Sequence, residues 1–131
     1  RPDISLDAVV SPQEIVGYQA LVNRIHVDAL VKDYIVRLVV ATREATQGQG
    51  VAPELKRLVR IGASPRATIN LTLAARACAL LEGRDHVTPD DVKAIAPDVL
   101  RHRVLLTYEA EAEDITSETV VQTLLGKVKV P

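Results

Sequence analysis

Residues 62–83 read GASPRATINLTLAARACALLEG, and their reading decides the fold. Ser64 followed by Pro65 is the pattern of a helix start: a small capping residue, then a ring whose fixed φ suits the first helical position. The helix is predicted from Pro65 to about Glu82, with Gly83 as its C-terminal stop. Ala67, Ala74, Ala75, Ala77 and Ala79 make it slender enough for neighbouring helices to approach closely. Arg66 is out of place in this design. It puts a cation in the first turn, at the end of the helix that already carries partial positive charge.

Composition agrees with packed helices. The 131 residues suit one domain with a single modest core. Apolar residues make up 47% of the chain, but there is no Phe, Trp or Met and only 3 Tyr, so the core must be built from Leu, Val, Ile and Ala. With 16 Lys and Arg against 17 Asp and Glu, the net charge of -1 gives no basic excess to suggest nucleic acid or an anionic membrane as partner. No apolar run approaches the roughly 20 residues of a membrane span, and no signal-peptide pattern opens the chain. Cys78 alone permits no intramolecular disulfide and fits a reducing compartment, which makes the cytoplasm the expected location. The opening residue is Arg1, not Met, and reads as part of something longer.

Outward from the central helix, the apolar spacing is helical almost everywhere. Residues 11–25 begin SPQE, with Ser11 as N-cap and Glu14 placed to close a capping box. Ile15, Val16, Leu21, Val22 and Ile25 are the expected buried side. Asp28 caps a second helix in which Leu30, Tyr34 and Leu38 form one row and Val31, Ile35 and Val39 the next. Gly48, Gly50 and Pro53 mark a loop, and ELKRLVRI is expected as a short helix before Gly62. Downstream, Thr88 and Pro89 open another helix. Pro97 is expected to divide it into two pieces, about 89–95 and 97–106. Thr116, Ser117 and Glu118 open the last, with Val120, Val121, Leu124 and Leu125. No strand is predicted. The fold class is all-α, a compact bundle of about five to six helices.

Comparing helix starts isolates the anomaly. Ser11-Pro12, Ser64-Pro65 and Thr88-Pro89 share one design, and Thr116-Ser117 keeps the cap. Glu14, Asp90 with Asp91, and Glu118 supply acids to three first turns, as the helix dipole favours by about 0.3–1 kcal/mol per charge. The Ser64 helix has Arg66 instead. Two readings stay open on spacing alone: the arginine swings into water or pairs with Glu109, Glu111 or another acid, or it and free backbone N–H groups bind an anion such as phosphate.

The string GASPRA, an Ala-rich helix and then GRDHVTPDDVKAIAPDVLRHRVLLTYEAEAE closely resemble the C-terminal lid domain of MoxR-family AAA+ ATPases. The likeness covers nearly the whole chain, including SPQEIVGYQALVNRIHV near its start. The resemblance implies residues 1–10 as a connector from an absent ATPase core and 11–131 as an AAA+ lid. It implies that Arg66 is the second-sensor arginine, reaching the γ-phosphate of a nucleotide on the core, with Gly62 and Ser64 helping to shape the pocket. ATP and magnesium would belong to the parent protein, and neither is expected to bind tightly to this chain alone. The family also implies a homo-oligomeric ring, hexameric by resemblance, chaperone-like remodelling of client proteins, and a partner with a von Willebrand factor A domain.

The rest of the chain adds no enzyme of its own. No G-x-x-x-x-G-K-[ST] is present, since Gly126-Lys127 runs into Val128, and no apolar strand ends in paired acids for magnesium. Arg101, His102 and Arg103 read as a solvated face plus one inward residue, or as an intersubunit contact. His26 and His86 are too far apart in sequence to suggest a metal site. Glu109, Glu111, Glu113 and Asp114 read as solvated acidic surface. The alternative to a lid is a stand-alone helical adaptor that binds another protein through an apolar face.

Overall fold

The computed structural model describes residues 2–131; Arg1, the first residue of the expected connector, lies outside the described residues. Among the described residues there are six α-helices: α1 (Pro12–Val22), α2 (Ala29–Ala45), α3 (Pro65–Leu81), α4 (Pro89–Leu100), α5 (Tyr108–Ala112) and α6 (Ser117–Lys127). The all-α expectation holds. α3 packs along α4 and α2, and α6 closes the bundle over α2 and α4. Tyr34, Ile35 and Leu38 of α2 meet Leu71 of α3, Val92 and Leu100 of α4, and Val120, Val121 and Leu124 of α6 in one core. Tyr34 is fully buried, and its hydroxyl has no partner among the described residues.

α3 earns its central place through small side chains. Ala67, Leu71, Ala75 and Ala79, spaced four apart on one stripe, are each at 0% exposure. Ala74 and Ala77 are half-buried beside them. The helix ends as its sequence suggests. Gly83 takes a φ of 75°, its N–H donates to the Leu80 carbonyl at 3.0 Å, and the Arg84 N–H donates to Ala79 at 2.9 Å. This is a Schellman stop, for which the left-handed conformation of glycine is the natural choice.

The turn into α4 is held by charge as well as by caps. The Thr88 N–H donates to Asp91 Oδ2 at 2.8 Å, and the Asp91 N–H returns to the Thr88 hydroxyl at 3.4 Å, closing a capping box. The other Asp91 oxygen accepts from the Arg84 guanidinium, just past the end of α3. Burial pushes the Asp91 carboxyl up, but the Thr88 N–H, the Arg84 guanidinium and the Thr88 hydroxyl together outweigh it and hold the group below the usual aspartate range. A short backbone bridge adds to this junction. The His26 N–H donates to Asp85 at 2.8 Å and the Val87 N–H to His26 at 2.9 Å, tying the entrances of α2 and α4 together.

Four local expectations are corrected. The 54–61 segment is not one helix: a 3-10 helix over Pro53–Arg57 is followed by a strand, β1 (Val59–Ile61), which pairs antiparallel with β2 (Leu105–Leu106). Strands of two and three residues are too short to show alternation, and their partners lie far apart in sequence. Pro97 does not divide α4, which continues to Leu100. A proline inside a helix removes one N–H and crowds the preceding turn, but here Ala96, Pro97 and Leu100 are all buried, and that packing holds the helix together. The chain then turns into β2 where a helix to 106 was expected. Finally, α1 has its expected capping box, with both Ser11–Glu14 bonds at 3.1 Å, but no buried residue. Ile15, Val16 and Leu21 stay exposed, since among the described residues α1 meets the bundle chiefly through α3; Leu30, at the start of α2, is exposed too.

Two outcomes test these packing arguments. Ala75→Leu should destabilise the fold by about 1–3 kcal/mol, because the stripe has no room for added methylenes; chemical denaturation measures it. Asp91 has a folded pKa below its unfolded one, so its contribution is present above the unfolded value and is lost as pH falls through the folded value. Asp91→Asn should therefore lower Tm near neutral pH, with the gap to the parent chain narrowing below about pH 4, as followed by circular dichroism.

Candidate functional site

Among the described residues the start of α3 is unlike every other α-helix start. The side chains of Ser11, Asp28, Thr88, Thr107 and Thr116 each accept a backbone N–H of the helix they open. Ser64 stands in the same extended N-cap conformation, but its side chain makes no capping bond. Its hydroxyl is exposed. No acid occupies the first turn, and Pro65 and Arg66 follow directly, both exposed. The helix end therefore keeps its partial positive charge and adds a guanidinium to it.

Arg66 takes part in none of the ion pairs found among the described residues. Of the acids considered as its partners, Glu109 is engaged by Arg57, and Glu111 takes part in none of the ion pairs among the described residues. Arg57 Nη1 lies 2.8 Å from Glu113 Oε2 and 3.5 Å from Glu109 Oε1. Glu109 and Glu113 are one turn apart, so the acidic run has a paired face as well as its solvated one. Glu113 and Glu109 hold the Arg57 guanidinium above its usual range, chiefly through the Glu113 hydrogen bond.

Gly62 holds this helix start against α2. A Cβ at Gly62 would fall 2.5 Å from the Thr42 carbonyl oxygen and 2.7 Å from Arg43 Cα. The glycine is thus required by contact between backbones and not by the left-handed φ that Gly48, Gly50 and Gly83 adopt. Beside it the Ala63 N–H donates to the Thr42 hydroxyl at 2.9 Å. Thr42 was not singled out in the sequence, although a polar residue four positions after Leu38 on the buried row of α2 was a readable sign. Gly62, Ser64 and Arg66 are thereby brought into one turn, at a single end of the bundle.

The other candidates lie elsewhere. Arg101 is exposed and bridges Asp98 at 3.2 Å and Glu118 at 3.3 Å. His102 is exposed, and Arg103 turns partly inward with its Nε buried and unpartnered. His26 and His86 share the backbone bridge, and the His86 ring meets the Asp85 carboxylate at 2.9 Å. Among the described residues no three His, Cys, Asp or Glu side chains gather as a metal site would require. No helix among them is long and apolar enough to cross a membrane.

Comparison with known proteins points to one family. The AAA lid domain family matches residues 54–124. Chaperone MoxR1 of Mycobacterium tuberculosis is 41% identical over 124 residues, covering 94% of this chain and 32% of that protein. Protein MoxR of Paracoccus denitrificans is 36% identical over 111 residues, covering 81% of this chain and 32% of that protein. The chain thus spans about a third of the length of these relatives. A crystal structure of a candidate ATPase from Cytophaga hutchinsonii superposes with a TM-score of 0.84 at 35% identity, covering 91% of this chain and 36% of that one.

Gly62→Ala should destabilise the chain by about 1–3 kcal/mol, since the added methyl meets helix backbone that cannot rotate away. Its Tm, compared with that of Gly17→Ala, where no atom lies within 4 Å of the new methyl, separates this clash from the general effect of replacing a glycine.

Proposed function

The chain belongs to the AAA lid domain family, and from that premise we propose that it serves as the C-terminal lid of a MoxR-type AAA+ ATPase. In this reading residues 1–10 connect it to an ATPase core and residues 11–131 form the lid. Arg66 is the second-sensor arginine, reaching the phosphate tail of a nucleotide held on that core. One observation carries the reading: an unpaired, exposed guanidinium on a helix end that lacks both a capping bond and an acid.

The chemistry is electrostatic. A guanidinium is planar, stays charged at any relevant pH, and presents donors in a fork that matches phosphate oxygens. The helix end beneath it favours the same negative charge. Ser64, with its free hydroxyl, and Gly62, seated on α2, shape the turn that carries it. ATP and magnesium belong to the parent protein, whose core supplies the phosphate-binding loop and the metal ligands. The lid adds charge stabilisation for the transferring phosphoryl group. Because α3 is packed into the bundle along its length, an arginine drawn toward phosphate moves the lid as a body. ATP brings the lid onto the core, and hydrolysis releases it.

The apolar surface left uncovered supports a larger assembly. Ile4, Leu6 and Val9 of the connector stand at 79%, 90% and 90% exposure, and Ile15, Val16, Tyr18 and Leu21 of α1, which follows in the chain, are exposed as well. Large apolar groups left exposed in such number suit contact surfaces. We assign them to packing against the ATPase core or a neighbouring subunit of a homo-oligomeric ring, hexameric by family resemblance. The parent's work is then chaperone-like remodelling or maturation of proteins in the cytoplasm, with a von Willebrand factor A domain protein as partner. The same surface also suits a helical adaptor, but an adaptor gives no reason for the start of α3.

In the full-length ATPase, Arg66→Ala should lower ATP turnover about tenfold or more, or abolish nucleotide-dependent assembly, while the lid stays folded by circular dichroism. Turnover and assembly both equal to the parent's would remove Arg66 from the mechanism.

A further inference from the structure

We propose that Thr42 is the positioning residue for Arg66: its buried hydroxyl fixes the turn that aims the guanidinium. The inference rests on the assignment of Arg66 to a nucleotide phosphate.

Thr42 is at 0% exposure in the last turns of α2. Its hydroxyl works in two directions, donating to the Val39 carbonyl at 2.6 Å and accepting from the Ala63 N–H at 2.9 Å. The first bond settles where the hydroxyl proton points, which leaves an oxygen lone pair for the incoming chain. Gly62, one residue earlier, rests directly on the backbone of Thr42 and Arg43. Residues 62 and 63 are therefore held by contact and by hydrogen bond, four and three residues before the arginine. On the far side Ala67 is locked in the core at 0% exposure. Arg66 sits between two fixed points, and only one of them depends on a polar side chain.

The helix itself has no need of this hydroxyl. Leu38 and Ala45, which flank Thr42 on the same row, are at 1% exposure and apolar, and valine would fill the space with the same shape. A threonine bonded back to its own helix brings that helix little. What requires it is the Ala63 N–H, a buried donor that would otherwise have no partner. Thr42 touches no phosphate in this scheme. It acts through the backbone, by preventing the start of α3 from shifting relative to α2.

The test compares variants of the full-length ATPase, reading kcat and KM for ATP, the Tm of the nucleotide-free protein, and the rise in Tm caused by a non-hydrolysable ATP analogue. Thr42→Val keeps the shape and removes the acceptor. It should lower kcat about tenfold and shrink the analogue-induced rise, because small displacements of a catalytic contact have large effects on rate. Thr42→Ser should restore both. Adding Arg66→Ala to Thr42→Val should lower turnover no further than Arg66→Ala alone, as expected of two residues acting through one contact. A threonine with a structural role only would lower the nucleotide-free Tm and leave kcat per folded molecule and the analogue-induced rise intact, which overturns the proposal. Impairment by Arg66→Ala with no effect of Thr42→Val overturns the positioning role and leaves the function of Arg66 standing; a silent Arg66→Ala overturns both. Should Thr42→Val not fold, Thr42→Cys replaces it, since a thiol fills similar space and accepts hydrogen bonds poorly.

Discussion

The structure depends on how closely α3 can approach its neighbours. A chain without phenylalanine, tryptophan or methionine cannot fill wide gaps between helices, so it must bring backbones together and bury many small contacts. The stripe of Ala67, Leu71, Ala75 and Ala79 makes this possible, with α4 along one side and α2 along the other. Once α3 is central, the rest is constrained. The Schellman stop at Gly83 and the Arg84–Asp91 pair turn the chain into α4 within a few residues, and α6 then has a groove to close.

The same close approach extends to the entrance of α3, where the proposed phosphate contact lies. Gly62 rests on the α2 backbone for the reason that the buried face of α3 carries alanines: any larger side chain would hold the packed elements apart. Rigid placement matters for a guanidinium proposed to meet phosphate oxygens, because an arginine on a mobile loop would lose ordering entropy each time it bound. A helix start pinned at Ala63 and Ala67 has already lost most of that freedom. The energetic compromise is local. The first turn forgoes the favourable acid seen at the openings of α1, α4 and α6, and the Ser64 hydroxyl forgoes its capping bond.

The two sides of the molecule are finished differently. α2, α3, α4 and α6 each bury a face in the common core, with Leu30, Val36, Ile69, Leu73 and Leu81 left exposed on the outer faces of α2 and α3, whereas α1 buries no residue and, with the segment before it, leaves isoleucine, leucine and valine side chains in contact with water. α1 is well capped and poorly buried, so its helical state does not depend on having found its final neighbours. Such a half-covered edge suits a domain that completes its packing against other surfaces, and it lies in the part of the chain closest to the proposed connector.

Features written within a few consecutive residues were legible in the sequence. The capping box at Ser11, the N-cap at Thr88, the stop at Gly83, the apolar rows of α2 and the displaced cation at Arg66 each depend on neighbours within a turn or two, where spacing alone determines geometry. What required the tertiary structure are the decisions made between distant residues: whether Pro97 breaks a helix, whether 59–61 finds a strand partner at 105–106, whether the apolar side of α1 is covered, and why a threonine stands at position 42. Each of these turns on packing energies from segments far apart in sequence, and such energies outweigh local preference. Arg66 belongs to both levels. Its anomaly is local and readable, while its exposure, its lack of an acidic partner and the anchor that aims it exist only once α2 and α3 have met.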